Sequence, residues 1–408
     1  MPRSPRATPP LLKDLNERAV LELIRAGAPI SRAEISRRTG ISKPTVSQAL
    51  ESLLAAGLVR EATHDPTGPS YGAVFFEPLP EAALVLGLDL GARFLRGALC
   101  DLGGEIRARQ DVEVIAADAD RILDAIAALR TTLVEASGLA DERIDTVVIG
   151  VPGVVETGSG RITLAENVPG LNGREFTREV AERLSLPVML ENDINLAAIG
   201  EQWAGIARGV EDFVFLSIGT GLGSGIVLRG ELHRGHHGAA GELDYVRAGH
   251  ADFDPCANAI SARTAELVAE RRGETSLVRP YDARAVFAAA RSDDAVARAV
   301  VAEEARRIAL HITPLAAVAD VGLVVLGGGI GANADLLLEP VRALLTEWLP
   351  FPPRVEVSSL GEAAVLTGAL AHGRRAALDN VFVNSRSQRV GTDRRPRTAT
   401  EASEGAAG

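Results

Sequence analysis

Residues 86–99 read LGLDLGARFLRGAL, and residues 214–228 read VFLSIGTGLGSGIVL. Each is an apolar run, a glycine-bearing turn and a second apolar run, the pattern of two strands joined by a tight connection. At an offset of 128 residues Gly91 falls on Gly219 and Gly97 on Gly225. Two such units predict two related lobes facing each other across a cleft. Around them, buried strands are expected at 83–90, 146–151, 187–193, 212–219 and 322–329. Helices are expected at 117–137, 176–184, 261–272, 295–317 and 332–347, with Pro314 kinking or ending the fourth. Strands alternating with helices place the body in the α/β class.

Ahead of the body lies a segment of different character. Apolar residues at Leu12, Leu15, Val20, Leu21, Leu23 and Ile24 outline a first helix that stops at Gly27 and Pro29. Ser31 can cap a second helix, with Glu34 three residues on completing a capping box. Ser42 can cap a third, with Pro44 in the first turn, where a missing N–H costs nothing. Val46, Ala49, Leu50 and Leu53 form its inward stripe, and Lys43, Thr45, Ser47, Gln48, Glu51 and Ser52 its outward one. Two strand-like runs, 58–63 and 71–77, flank the turn-rich HDPTGPS. This is the layout of a winged helix-turn-helix. Its third helix would enter a DNA major groove, with Gln48 suited to an adenine edge and Thr45 and Ser47 to bases or phosphates. Ser42 and Lys43 at the helix N-terminus suit a phosphate, Arg32, Arg37 and Arg38 could track the backbone, and the 60–75 hairpin would be the wing.

Charge separates the same two parts. The 408 residues carry a net −11, yet residues 1–76 hold ten Lys+Arg against seven Asp+Glu, leaving −14 for the remainder. Of 43 cations only Lys13 and Lys43 are lysines, so a phosphate-loop or Schiff-base lysine is excluded beyond position 43. Cys100 and Cys256 are the only cysteines, too few for a disulfide scaffold or a Cys-rich zinc site. No apolar run reaches the ~18 residues of a membrane span. The start, MPRSPRATPP, does not have the pattern of a signal peptide, so a cytoplasmic protein is expected. The expected division is a flexible 1–10, a winged helix-turn-helix at 11–78, a body at 82–378 and a disordered tail at 379–408. Within the body, lobe one would take 82–195 plus 360–378, and lobe two 196–359.

The head sequence SRAEISRRTGISKPTVSQALESLLAAGLV, followed by GVPGVVETGSG, ENDINLAAIGE, SIGTGLGSGIVLRGELHRGHHGAAGE and VVLGGGIG with LGEAAVLTGAL, resembles the repressor branch of the ROK family (repressors, open reading frames and kinases). The resemblance covers nearly everything from Leu12 to His372. It implies an actin-like, ribonuclease H-like fold of the sugar-kinase type with a sugar in the cleft, which agrees with the internal repeat. It places Gly153, beside Pro152, with Asn167, Asn192, Asp193, Glu242 and Tyr245 at the sugar, Asp193 matching the base of the family's kinases. Asn192-Asp193 also follows a strand at its carboxyl end, where α/β folds place ligands. As a dipeptide alone it reads equally well as a turn or helix cap, and Glu191 as a capping or salt-bridge residue. The family's nucleotide site maps to Asp89, Gly91, Gly219, Thr220, Gly221 and Gly328, where backbone N–H groups can hold phosphate without lysine.

Departures from the family pattern separate enzyme from regulator. Asp-x-Gly-Gly-Thr is here Asp89-Leu90-Gly91-Ala92-Arg93, which places side chains where a triphosphate needs close backbone approach. Glu-x-Gly-His is here Glu242-Leu243-Asp244-Tyr245, and Asn258 replaces a later glutamate. The Cys-rich zinc loop is reduced to Cys256, and His233, His236, His237 and His250 fit no zinc spacing, so no metal and no required cofactor are expected. The expected function is a repressor of carbohydrate-utilisation genes. Its partners would be double-stranded operator DNA and a carbohydrate effector, in a homodimer or homotetramer with no membrane association. The alternative is an ATP-dependent sugar kinase carrying a DNA-binding head.

Overall fold

The computed structural model describes residues 9–62, 73–114, 118–165, 167–244, 253–271 and 275–392. It divides into two units, one formed by Met1–Ala83 with Arg375–Gly408 and the other by Leu84–Arg374.

The first unit contains α1 (Pro9–Gly27), β1 (Ile30–Ser31), α2 (Arg32–Thr39), α3 (Lys43–Ala55), β2 (Val59–Glu61) and β3 (Phe75–Pro78), with sheet order β1-β3-β2. Both serine caps form: Ser31 accepts from the Glu34 N–H and Ser42 from the Thr45 N–H. The box at Ser31 is one-sided, because the Glu34 carboxylate is taken by Arg37 and Arg38. Val20, Ile24, Ile35, Val46, Leu50, Leu53 and Phe76 form a sealed core. Full burial of each such side chain contributes ~1.5–3 kcal/mol.

Four expectations about this unit are corrected. Leu12 and Leu15 are 48% and 53% exposed. Leu15 lies nine residues, about two and a half turns, from Ile24, so the helical period places it on the opposite side. Ser52 is buried rather than outward. The chain from Asp379 to Thr392 is not an unstructured tail but the end of a helix, Ala364–Thr392. No proline or glycine interrupts it between Gly373 and Gly391, so the backbone ladder propagates, and Asp379 ion-pairs with Arg18 of α1. Residues 9 and 10 likewise open α1 rather than belong to a flexible start. Residues 1–8, the wing tip at 63–72 and 393–408 lie outside the described residues.

The second unit is built on two five-stranded sheets. The first takes β4 (Leu84–Leu90), β5 (Phe94–Asp101), β6 (Ile106–Glu113), β7 (Ile144–Val151) and β10 (Val188–Asn192) in the order β10-β7-β4-β5-β6. A small hairpin, β8 (Val154–Val155) with β9 (Ile162–Thr163), lies between β7 and β10 in sequence. The second sheet takes β11 (Phe213–Ile218), β12 (Leu222–Leu228), β13 (Glu231–Leu232), β14 (Leu323–Gly327) and β15 (Arg354–Val357) in the order β13-β12-β11-β14-β15. In each, the central strand pairs antiparallel with the next strand in sequence and parallel with a later one, which pairs parallel with the edge strand. The two sheets therefore share one topology, and the internal repeat is real.

Helices α4 (Ala119–Ser137) and α5 (Phe176–Leu184) cover the first sheet through Ile122, Ile126, Leu129, Phe176 and Val180. Helices Ala257–Glu270, Ala283–Arg291, Ala295–Ala319 and Ala334–Trp348 cover the second through Ile260, Val286, Ile308 and Leu337. The repeated glycines have a shared use. A Cβ at Gly97 would meet Leu129 at 2.7 Å, and one at Gly225 would meet Ala198 at 2.7 Å, so each admits a helix onto its strand. Ala198 belongs to α6 (Asp193–Ala204), which crosses Ala364–Thr392 at Gly200 and Gly368. Pro314 does not end its helix, which runs on to Ala319. Pro314 is exposed, so the Leu310 carbonyl left without a donor lies on the wetted side of the helix.

Candidate functional site

The turn from β10 into α6 organises the body's site. Asn192 is the N-cap of α6: its Oδ1 accepts from the Asn195 N–H at 3.0 Å, while its Nδ2 donates to the Gly153 carbonyl at 2.9 Å. The cap reading of the dipeptide therefore holds, and the second bond ties α6 to the loop after β7. Gly153 sits at φ +90°, and a Cβ there would come within 2.5 Å of the Thr163 carbonyl. Only glycine allows the loop to close on β9 in this way. Beneath lies Glu191, 6% exposed, accepting from the Asn192 N–H, the Asn195 Nδ2 and the Arg234 Nε at 2.6 Å. Glu191 is thus the buried anchor that joins α6 to the loop after β13.

Three carboxylates converge here. Asp193, partly buried at the start of α6, accepts from the Ile194 N–H at 2.9 Å. Burial, reinforced by the charges of Asp89 and Glu242, pushes its carboxyl up to about 7. Burial also raises Glu242, with Asp244 adding repulsion, and raises Asp89 against the opposing pull of Arg96. The charges of Asp89 and Glu242 thus both act on Asp193. Asn167 is exposed in the turn after β9, and no described contact ties it to Asp193. Tyr245 and His250 lie outside the described residues. Among the described residues, no group of three or more His, Cys, Asp or Glu side chains is arranged to hold a metal ion.

The residues expected at a nucleotide are engaged by the protein's own groups. Asp89 on β4 pairs across the ladder with Arg96 on β5, whose Nη1 lies 3.1 Å from Asp89 Oδ2. Arg96 also reaches Asp111 at 3.7 Å and Glu362 at 3.3 Å. The turn Gly219–Gly221 folds on itself, its Gly219 N–H donating to the Gly221 carbonyl at 3.0 Å. The Leu222 N–H that follows donates to Asp244 Oδ1 at 3.3 Å. The Asp244 carboxylate therefore occupies the backbone N–H that directly follows the Gly219–Gly221 turn. Gly328 is at φ +76° and lies against the Ile218 carbonyl, where a Cβ would come within 2.3 Å. Arg93 is exposed, ion-pairs with Glu113 and stacks over Phe94.

Arg96, Arg234 and Asp244 were not singled out from sequence. Arg96 was discoverable, because a strand–turn–strand reading of 86–99 pairs Asp89 with Arg96. Arg234 and Asp244 act across 43 and 22 residues of chain, and no local pattern marks them.

In the other unit, Arg32, Ser42, Lys43 and Gln48 are exposed, while Thr45 and Ser47 are partly buried. The hydroxyls of Ser42 and Thr45 pair at 2.8 Å, and Ser47 Oγ donates to the Lys43 carbonyl. Those three side chains therefore serve the helix end, leaving Lys43 and Gln48 as the long exposed side chains at its N-terminal half. Arg37 and Arg38 share Glu34, whose carboxyl they hold down at about 2.

The sequence profile described as ROK family matches residues 85–375, and the one described as MarR family matches 14–68. The chain is 27% identical over 383 residues to the xylose repressor of Caldicellulosiruptor bescii, covering 88% of this chain and 96% of that one. Its fold matches that of a ROK family transcriptional regulator, a homologue of the E. coli MLC protein, with TM-score 0.76 and 24% identity, covering 92% of this chain and 98% of that chain. It is also similar to a ROK family glucokinase from Streptomyces griseus in complex with glucose and AMPPNP, with TM-score 0.61 and 27% identity, covering 72% of this chain and 100% of the glucokinase. Repressors and kinases are thus both relatives. With 85–375 matched, two like-folded sheets within that stretch and a winged helix before it in sequence, the chain belongs to the ROK family.

Proposed function

We propose that this chain is a non-catalytic transcriptional repressor of carbohydrate-utilisation genes, released from or held on its operator by a sugar bound at Asn192, Asp193 and Glu242. One observation supports the non-catalytic reading: the residues that match the family's nucleotide motifs are engaged by internal ion pairs and carboxylates. Arg96 ion-pairs with Asp89, and Asp244 sits on the Leu222 N–H, where its charge repels a phosphate. The MarR-type match over 14–68 and the exposed Lys43 and Gln48 support DNA reading by the third helix. Xylose is the first effector to test, because a relative matched along nearly its whole length is named for it. Glu242 and Asp193 would accept from sugar hydroxyls, while Asn192 and Gly153 position them and Asn167 closes the rim. Arg32, Ser42, Thr45 and Ser47 would take phosphates beside Lys43. The protein would act in the cytoplasm as a homodimer or homotetramer, reading two half-sites.

A second reading, an active sugar kinase, is favoured by one feature. An Asp193 carboxyl near 7 is in the range for a general base at neutral pH. A coupled ATPase assay with xylose, glucose and amino sugars separates the two. Turnover abolished in Asp193→Asn supports the kinase, and its absence supports the regulator. Footprinting on DNA upstream of the gene tests the DNA reading directly. Protection without sequence preference, unaltered by any sugar, refutes it.

A further inference from the structure

A cavity of about 710 Å³ opens beside the Asn192 site, lined by Val154, Glu156, Thr157, Thr163, Leu164, His236, His237 and Ala239. That volume lies in the ~300–1,000 Å³ range of ligand pockets. Its walls continue those of the monosaccharide site on both sides. Val154 directly follows Gly153, whose carbonyl holds Asn192, and Thr163 closes on Gly153 from the other strand. Across the cavity, the Ala239 carbonyl accepts from the Glu242 N–H at 3.3 Å. The two walls are themselves joined, since the Thr157 N–H donates to the His237 carbonyl at 3.3 Å and Gly238 lies against the Val155 carbonyl. The cavity is therefore pre-formed, and it abuts the site without belonging to the Asp89–Asp193–Glu242 cluster.

Its chemistry narrows the ligand. The His236 and His237 rings meet edge to face at 4.6 Å, and neither ring hydrogen-bonds to another described residue. Glu156 holds the Ser159 hydroxyl at 2.9 Å and brings negative charge to the wall, which disfavours a phosphate or carboxylate ligand. Imidazole nitrogens and threonine hydroxyls offer both donors and acceptors, as vicinal hydroxyls require. Val154, Ala239 and Leu164 add apolar surface suited to the C–H face of a pyranose. Leu164 is 44% exposed and held at φ +59°, in the left-handed region that leucine rarely enters.

We infer that this cavity is a second glycosyl subsite, so that the effector is a disaccharide or longer oligosaccharide with one unit at Asp193 and the next between His237 and Thr163. The inference rests on the reading of the Asn192–Asp193–Glu242 site as a sugar site. Isothermal titration of the full chain with xylose and xylobiose, glucose, cellobiose and maltose tests it, against a His236→Ala/His237→Ala double variant checked for an unchanged melting temperature. One disaccharide is expected to bind about ten-fold or more tighter than its monosaccharide. In the double variant that advantage disappears, while monosaccharide affinity stays within about two-fold. Monosaccharide binding with no disaccharide gain, or a gain that survives the double variant, overturns the subsite alone. No binding of any sugar to the wild-type chain overturns the sugar site and, with it, the subsite.

Discussion

Replacing Asp193 by asparagine removes an ionisable group whose folded-state value lies well above its ordinary one, about 7 against 3.8. The ionised carboxylate is disfavoured in the folded state by burial and by the facing charges of Asp89 and Glu242, Asp89 being only partly compensated by Arg96. The sign follows from linkage. Below 3.8 the group is protonated in both states and contributes nothing unfavourable. As pH rises from 3.8 to about 7, the unfolded chain releases its proton first and folded stability falls; above about 7 the loss levels off. The rise from 3.8 to about 7, at ~1.36 kcal/mol per pH unit, gives a plateau of about 4 kcal/mol. The asparagine variant keeps the oxygen that accepts from the Ile194 N–H and escapes the penalty. It should therefore be more stable than the wild type by about 4 kcal/mol at pH 8 and nearly equal to it near pH 4, a gain of ~8 °C in Tm for a body of this size. Paired urea melts of the sugar-free proteins from pH 4 to 8 measure the difference directly. Parallel pH profiles for the two proteins would refute the raised Asp193 value and the burial that causes it.

Other outcomes follow from single contacts. Gly368→Ala forces a Cβ to within 1.8 Å of the Leu196 carbonyl. It should destabilise the body by ~3 kcal/mol, visible as a lowered urea midpoint with unchanged m-value. Arg234→Met leaves Glu191 buried without its guanidinium and should cost ~2 kcal/mol or more in the same melts, with sugar affinity falling as the α6 turn loosens. Lys43→Ala should weaken operator binding at every sequence and lower the salt slope of log K by ~0.9, whereas Gln48→Ala should relax preference at one base pair by ~1–3 kcal/mol. Asp244→Gly frees the Leu222 N–H and should raise affinity for a non-hydrolysable ATP analogue in the same titration format. An unchanged value would show that Asp244 does not guard that turn.

Much of the fold was legible because it is written in local periodicity. The apolar runs at 84–90 and 213–218 are strands because nearly every residue in them is buried, and such runs need no partner to be recognised. The serine caps at Ser31 and Ser42 were legible because a cap and its N–H lie three residues apart. Strands β6 and β15 were missed. β6 reads IRARQDVE, is mostly exposed at a sheet edge, and has charged residues where a buried strand has valines. The end of helix Ala364–Thr392, from Asp379 on, was expected as an unstructured tail because its residues are polar and show no apolar period.

The amino-acid sequence alone determined that a cationic helical reader precedes an acidic, twice-repeated α/β body, and that Asp193 follows a strand at its carboxyl end. Composition, caps and strand periodicity act over a few residues, so they survive without knowledge of the partner. Only the tertiary structure decided that Arg96 lies on Asp89, that Asp244 covers the Leu222 N–H, that Arg234 anchors Glu191, and that the His236–His237 wall continues the Gly153 loop. Charge pairing and cavity shape depend on which strands become neighbours, and that is set by burial of whole sheets rather than by any one stretch of chain.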